Sequence, residues 1–207
     1  MKILAIDLST GRGSIAWFGG PTDVFDVAFA NDRKHSGLFF ENLQQTLQRF
    51  GAPELIVAGL GPGSYAGTRI AIATASGLAA ATGARVCGLS SARAFETDAA
   101  EYSVIGDARR ESFFFAHVAR RDCIEGPLLY TRDELLARLR GGAHPVFASE
   151  KISEAPEAVL SYPSARVLAE VARDAPETLA LQPLEPIYLR EPHITYPKAA
   201  TSLNVSS

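Results

Sequence analysis

The chain has 207 residues, 47% of them hydrophobic and 21% charged, enough apolar material for one large core or two small ones, with no sign of overall disorder. A formal charge of −3 argues against a protein that grips nucleic acid over a broad surface by itself, because such binding draws on phosphate neutralisation. The longest apolar run, 70–81, is interrupted by Thr74 and Ser76 and falls short of the roughly 20 residues that cross a bilayer, while Asp7 spoils any apolar leader, so a cytoplasmic chain with no membrane span is expected.

In chain order, residues 2–8 form a β-rich segment that contains Asp7, and Ser9-Thr10-Gly11-Arg12-Gly13 is a tight turn into a second strand over 14–18. A Gly19-Gly20-Pro21 turn leads to a third strand, Val24–Ala30, whose alternation suits a covered sheet. From Ser36 to Phe50, the residues Phe39, Phe40, Leu43, Leu47 and Phe50 fall within an arc of about 100°, the width of a core-facing helical stripe. Gly51-Ala52-Pro53 ends that helix. A short buried strand over 55–60, a helix over 68–82 and a strand over 85–89 follow, so the first hundred residues predict βββαβα with a closing strand.

The second half repeats the order. Strands are expected over 103–105, ending near Asp107, then over 112–119 and 128–130. A helix starts at the capping box Thr131-x-x-Glu134, where the two side chains satisfy two orphan backbone donors. A strand at 145–148 and a helix at 164–173 complete the unit. Asp7 and Asp107 then occupy matching places, which implies duplication at a period of about 100 residues. The two cysteines, Cys87 and Cys123, are expected to be reduced, partly buried thiols.

Several stretches could carry chemistry. A strand, an acid and a hydroxyl-rich turn (Asp7, Ser9, Thr10, Gly13) make the arrangement with which actin-like ATPases wrap a hairpin around nucleotide phosphates, since backbone N–H groups in such a turn can form an anion nest. A plain β-turn with Asp7 bonded to backbone donors fits equally, and Ser9 obstructs close phosphate approach. The run Gly61-Pro62-Gly63-Ser64-Tyr65-Ala66-Gly67-Thr68-Arg69 lies between a buried strand and a helix. Pro62-Gly63 suits the centre of a type II turn and Ser64 suits a helix cap. The run is neither a P-loop nor a dinucleotide fingerprint. It is better explained as a structural turn than as a phosphate site.

Beyond Arg69 the helix has no charge and is apolar all round. Its second face is therefore either covered by the other half of the chain or offered to a partner. His35, His117, His144 and His193 are far apart, no His-x-x-x-His pair exists, and no metal ligand set is expected. No Gly-x-Ser-x-Gly elbow surrounds a serine, so hydrolytic machinery is absent from the sequence.

Together, residues 3–10, His35-Ser36, the Gly61–Ile70 run with Ala73-Thr74-Ala75 and Gly77-Leu78, Asp107-Ala108-Arg109 and Glu185-Pro186-Ile187-Tyr188-Leu189-Arg190 resemble the bacterial TsaB (YeaZ) family. The resemblance spans the chain to about Arg190, only in outline over 111–183, where the chain is shorter than usual. It implies an α/β, duplicated actin-like (ASKHA, ribonuclease H-like) fold with two βββαβα lobes, 1–101 and 102–190, the second trimmed, and a tail at 191–207. It also implies a non-catalytic subunit in tRNA threonylcarbamoyladenosine modification. Such a subunit dimerises through helices 36–50 and 68–82, with Leu38, Asn42 and Gln45 on the first and Ile70, Ala71, Thr74, Ala75, Gly77 and Leu78 on the second. The partners implied are a metal-binding, TsaD-like catalytic paralogue and a small TsaE-like ATPase, with tRNA engaged only through the complex and a homodimer formed when the chain is alone. ATP and metal belong to those partners, and no cofactor is expected in the isolated chain. The rival from another class is a stand-alone ATP-dependent small-molecule kinase of the same superfold that uses Asp7 and its hairpin.

Overall fold

A computed structural model describes residues 1–20, 23–32, 36–174 and 184–190. The first half builds β1 (Ile3–Asp7), β2 (Arg12–Phe18), β3 (Val24–Ala30), α1 (Ser36–Phe50), β4 (Leu55–Gly59), α2 (Tyr65–Thr82) and β5 (Arg85–Leu89). The sheet order is β3-β2-β1-β4-β5, with β1 antiparallel to β2 and parallel to β4. A 3₁₀ turn, Ser91–Ala94, leads into β6 (Glu101–Asp107), β7 (Ser112–Ala119), β8 (Asp122–Thr131), α3 (Arg132–Arg140), β9 (Val146–Ala148) and β10 (Val159–Leu160). This second sheet runs β8-β7-β6-β9-β10, the same order strand for strand. The α/β class and the duplication expected from the sequence are both present.

The second copy is smaller for a specific reason. The first sheet connects its fourth and fifth strands through α2, whereas the second connects β9 and β10 through 149–158 without a helix. The helix expected at 164–173 exists as α4 (Ala165–Asp174), but it follows β10 and packs on β1, β2 and β4 of the first sheet. Its start is tied there: Ala165 N donates to Ser14 Oγ at 2.9 Å and Ser164 N to the Ala94 carbonyl at 2.8 Å.

The first sheet is thus covered on both faces, and β1 divides its side chains between two cores. Ile3 and Ala5 join Leu168, Ala169 and Ala172 of α4, while Leu4 and Ile6 join Phe39 and Leu43 of α1 and Ala71 of α2. Period-two alternation sends successive residues to opposite faces, so a strand covered on both sides is buried throughout, as β1 is. Cys87 and Cys123 are free, and burial pushes the Cys87 thiol up to about 11. Among the described residues, no helix is long and apolar enough to cross a membrane.

Candidate functional site

The ends of the two sheets' central hairpins face each other across a cleft of about 680 Å³. One wall is the β1–β2 turn with the Pro62–Tyr65 stretch, the other the β6–β7 turn, and residues 186–190 run along it. Of the sequence candidates for a phosphate hairpin, Ser9 and Thr10 line this cleft, and Asp7 and Gly13 do not.

Asp7 is wholly buried. Its Oδ1 accepts Ser9 N at 2.9 Å and Ser9 Oγ at 2.7 Å, and its Oδ2 accepts Ser91 Oγ at 2.6 Å. Burial pushes its pKa above the usual carboxylate value, and the Ser91 and Ser9 bonds oppose that shift. Ser9 spends its hydroxyl and its N–H on this acid. The carbonyls of the turn are also taken: Leu8 O and Thr10 O accept from Asn31 Nδ2, and Ser9 O accepts Ser64 N at 2.6 Å. An anion nest requires free N–H groups, and in this turn Ser9 N and Arg12 N are bonded to Asp7 and Thr10 side chains.

The glycine-rich loop sits directly on that hairpin. A Cβ on Gly63 would overlap the Ser9 carbonyl, and one on Gly67 would overlap the Leu8 carbonyl. Glycine is required here by close backbone approach. The type II turn expected at Pro62-Gly63 does not form: Gly61-Pro62 is cis and Gly63 has φ 155°, far from the +80° such a turn needs. Ser64 does cap α2, accepting Gly67 N at 3.1 Å, so the helix starts at Tyr65 rather than near Thr68. Gly61 is fixed from behind, its N–H donating to Ser91 Oγ and its carbonyl accepting Ser91 N. Arg69 donates to Tyr65 OH at 2.6 Å and lies over the Tyr65 ring. Tyr188, then Tyr65, push the pKa of its guanidinium still higher.

The opposite wall is built differently. Asp107 accepts Arg109 N at 2.6 Å, the same i+2 bond that Asp7 makes, and also pairs with the Arg109 guanidinium at 3.1 Å. Arg109, Arg110 and Glu111 have φ of 66°, 53° and 58°, three consecutive non-glycine residues in the left-handed region. The segment 184–190 joins both walls: Ile187 N donates to the Leu60 carbonyl at 2.8 Å, Tyr188 stacks on Tyr65, and Arg190 Nη2 donates to the Arg109 carbonyl at 3.1 Å.

A second feature is the outer face of α1 and α2. α2 packs on β1, β4 and β5, and among the described residues its other side leaves Ile70, Ala73, Ser76 and Gly77 exposed. Ala71 and Ala75, expected on a partner face, are instead wholly buried against the home sheet, because they share the helical stripe that meets Leu4, Ile6, Ile56 and Ala58. Ile70, Gly77 and Gln45 are exposed; Leu38, Asn42, Thr74 and Leu78 are half-buried. Phe40, read from the helical wheel as core-facing, is 56% exposed at the edge of the α1 stripe and borders a shallow apolar depression with Leu43 and Leu47. Ser91 and Tyr188 were not singled out from sequence as partners of Asp7 and Arg69, and no local pattern marks residues that distant.

The family model for TsaD, tRNA N6-adenosine threonylcarbamoyltransferase, matches residues 30–126. No curated protein matches the chain by sequence. Among solved structures, an uncharacterized protein with similarity to peptidase YeaZ from Pseudomonas aeruginosa superposes with a TM-score of 0.73 at 23% identity, covering 91% of this chain and 99% of that one. YeaZ from Pseudomonas aeruginosa gives a TM-score of 0.70 at 21% identity over the same shares. The resemblance carried by the motifs therefore extends to the fold of nearly the whole chain.

Proposed function

We propose that this chain is a TsaB-type accessory subunit that pairs with a TsaD-like catalytic paralogue, in concert with a TsaE-like ATPase, during threonylcarbamoyladenosine formation on tRNA, and that it forms a homodimer when alone. The observation that carries this reading is the face of α1 and α2 left exposed among the described residues. It presents Phe40 and Ile70, 56% and 41% exposed, among alanines, Ser76 and Gly77, and small residues allow helices from two chains to approach closely. The stretch matched by the TsaD family model, 30–126, contains both helices. The net charge of −3 fits a subunit that reaches tRNA only through its complex.

The kinase reading has less support. The cleft has room for a nucleotide, but the acid that would organise Mg²⁺ is buried and its oxygens are spent on Ser9 and Ser91. The test is reconstitution: threonylcarbamoyl transfer by a TsaD-like paralogue with its ATPase, measured with and without this chain, alongside sedimentation of each mixture. Strong dependence of transfer on the chain and a co-sedimenting heteromer are expected. Transfer that proceeds equally without it would refute the proposal.

A further inference from the structure

Glu101, His117 and His144, distant in sequence, converge at one end of the second sheet, and we propose that they form a binding site for a divalent transition-metal ion, Zn²⁺ above all. This goes beyond the accessory-subunit reading and departs from the expectation of a chain with no metal of its own.

Strand pairing brings the three together. Ser103 of β6 lies opposite His117 of β7 and beside Val146 of β9, so two residues earlier Glu101 stands diagonal to His117 and next to His144. All three project from the face that α3 covers farther along, where Ile105 and Phe115 meet Leu135. At this end α3 has stopped at Arg140, and the connection to β9 places His144 over the strands. His117 also sits at the irregularity in the β7–β8 register, a place where a strand re-aims a side chain.

The carboxylate stands from each imidazole at the spacing of ligands around a shared ion. Glu101 Oε2 lies 3.5 Å from His117 Nε2 and 3.3 Å from His144 Nε2, and the three ligand atoms lie within 4.8 Å of one another. A charge-assisted N–H···O bond would be about 2.7–2.9 Å, so both contacts are long for direct pairing. Donors at 2.0–2.1 Å from a tetrahedral zinc are about 3.3–3.4 Å apart, which matches both distances. The rings meet edge to face at 5.0 Å, so they do not stack on each other. His117 Nδ1 faces Ser103 Oγ at 3.4 Å, which directs Nε2 to the carboxylate and supplies the orienting partner that metal-bound histidines have.

Two imidazoles and one carboxylate select a borderline ion over Mg²⁺ or Ca²⁺, which prefer oxygen donors. Glu101 is exposed, so water completes the fourth position. The site joins β6, β7 and the approach to β9, and its effect is to fasten the second sheet at the end that no described helix covers.

The test uses the tag-free, full-length chain stripped with a chelator. Titration with Co²⁺ is expected to produce the intense visible absorption of a tetrahedral site, saturating at one equivalent, and Zn²⁺ is expected to displace it and raise the melting temperature by several degrees. Glu101→Gln, at an exposed position, and His144→Asn, at a half-buried one, should each weaken binding at least tenfold without altering the melting temperature of the metal-free protein. A variant with His35→Asn and His193→Asn should bind as before. Absence of saturable binding overturns the proposal, as does stoichiometric binding that survives His144→Asn or disappears in the His35 and His193 variant.

Discussion

Arginine placed at Ala75 and, separately, at Gly77 should produce opposite failures. The Ala75 side chain is wholly buried between α2 and β4, in contact with the cluster of Ile56 and Ala58. Arginine there overpacks the layer, at about 1–3 kcal/mol, and buries an unpaired guanidinium, at several kcal/mol more after relaxation. A total of at least about 4 kcal/mol is a large part of the 5–15 kcal/mol that holds such a protein folded. At this chain length it lowers the melting temperature by about 8–16 °C or abolishes folding. Gly77 lies about 160° from the Ala75 face by the helical period, and a Cβ there meets nothing within 4 Å. Arginine is favoured over glycine inside a helix by roughly 0.8 kcal/mol, so Gly77→Arg should melt at or slightly above the wild-type temperature. That variant should nevertheless sediment as a monomer and fail to stimulate threonylcarbamoyl transfer. Differential scanning calorimetry and sedimentation velocity on the two variants decide the matter. A clearly destabilised Gly77→Arg would refute the packing argument, and a stable one that still assembles would place the partner surface elsewhere.

Asp7→Ala strands Ser9 N, Ser9 Oγ and Ser91 Oγ without their acceptor, and urea unfolding should show a loss of about 2–4 kcal/mol. Asp7→Asn should behave differently with pH. Because burial raises the Asp7 pKa, the wild-type carboxyl contributes most below its ordinary value of 3.8, and that contribution is lost as pH rises through the folded value. The stability of Asp7→Asn relative to wild type should therefore improve from pH 4 upward, and a difference that is flat or falls with pH would contradict the raised value. Gly67→Ala should destabilise in thermal melts despite a helix-propensity gain of about 1 kcal/mol, because its methyl overlaps the Leu8 carbonyl; an unchanged or higher melting temperature would show that α2 can move off the hairpin. Calorimetric titration with Mg-ATP should give a dissociation constant above roughly 100 µM, or about −5.5 kcal/mol, and micromolar binding abolished by Asp7→Ala would favour the kinase reading.

The first lobe was legible because its elements carry their own signals. α1, β3 and β5 have the expected bounds, since α1 and β3 are periodic and all three follow or precede a glycine or proline turn. β8 was visible only as 128–130 of Asp122–Thr131, because it is an edge strand, mostly half-exposed, and Gly126-Pro127 breaks its pattern. α4 was recognisable as a helix, but which sheet it covers is a tertiary choice that no local period encodes. The same limit applies to α2. An uncharged helix of alanines and isoleucines has no polar stripe to orient it, so Ala75 and Gly77 could be told apart only once β4 lay beneath one of them. His117 and His144 read from the sequence as too far apart to share an ion because metal-ligand spacing is a helix or loop signature, whereas Glu101, His117 and His144 are aligned by strand pairing.

Duplication supplied two hairpins with one acid each, and the two have diverged in opposite directions. Both acids accept the N–H of the residue two positions on, at 2.9 Å in the first copy and 2.6 Å in the second. In the first, added hydroxyls from Ser9 and Ser91 and the close-packed Gly63 and Gly67 turned the acid into an internal bolt that joins β1, the β4–α2 loop and the 3₁₀ turn. In the second, Asp107 remains in the cleft, and the backbone beyond it holds three left-handed residues that cost on the order of 1–2 kcal/mol each. Such a turn persists only when its surroundings hold it. The bonds from Arg109 N to Asp107, from Ser112 N to the Arg109 carbonyl and from Arg190 to that same carbonyl do so. Two of those bonds are local, while the third reaches across from the strap at 184–190, which is anchored on the first lobe at Leu60 and Tyr65. The strained turn of one lobe is thereby coupled to the start of α2 in the other, the helix whose outer face is the proposed partner surface.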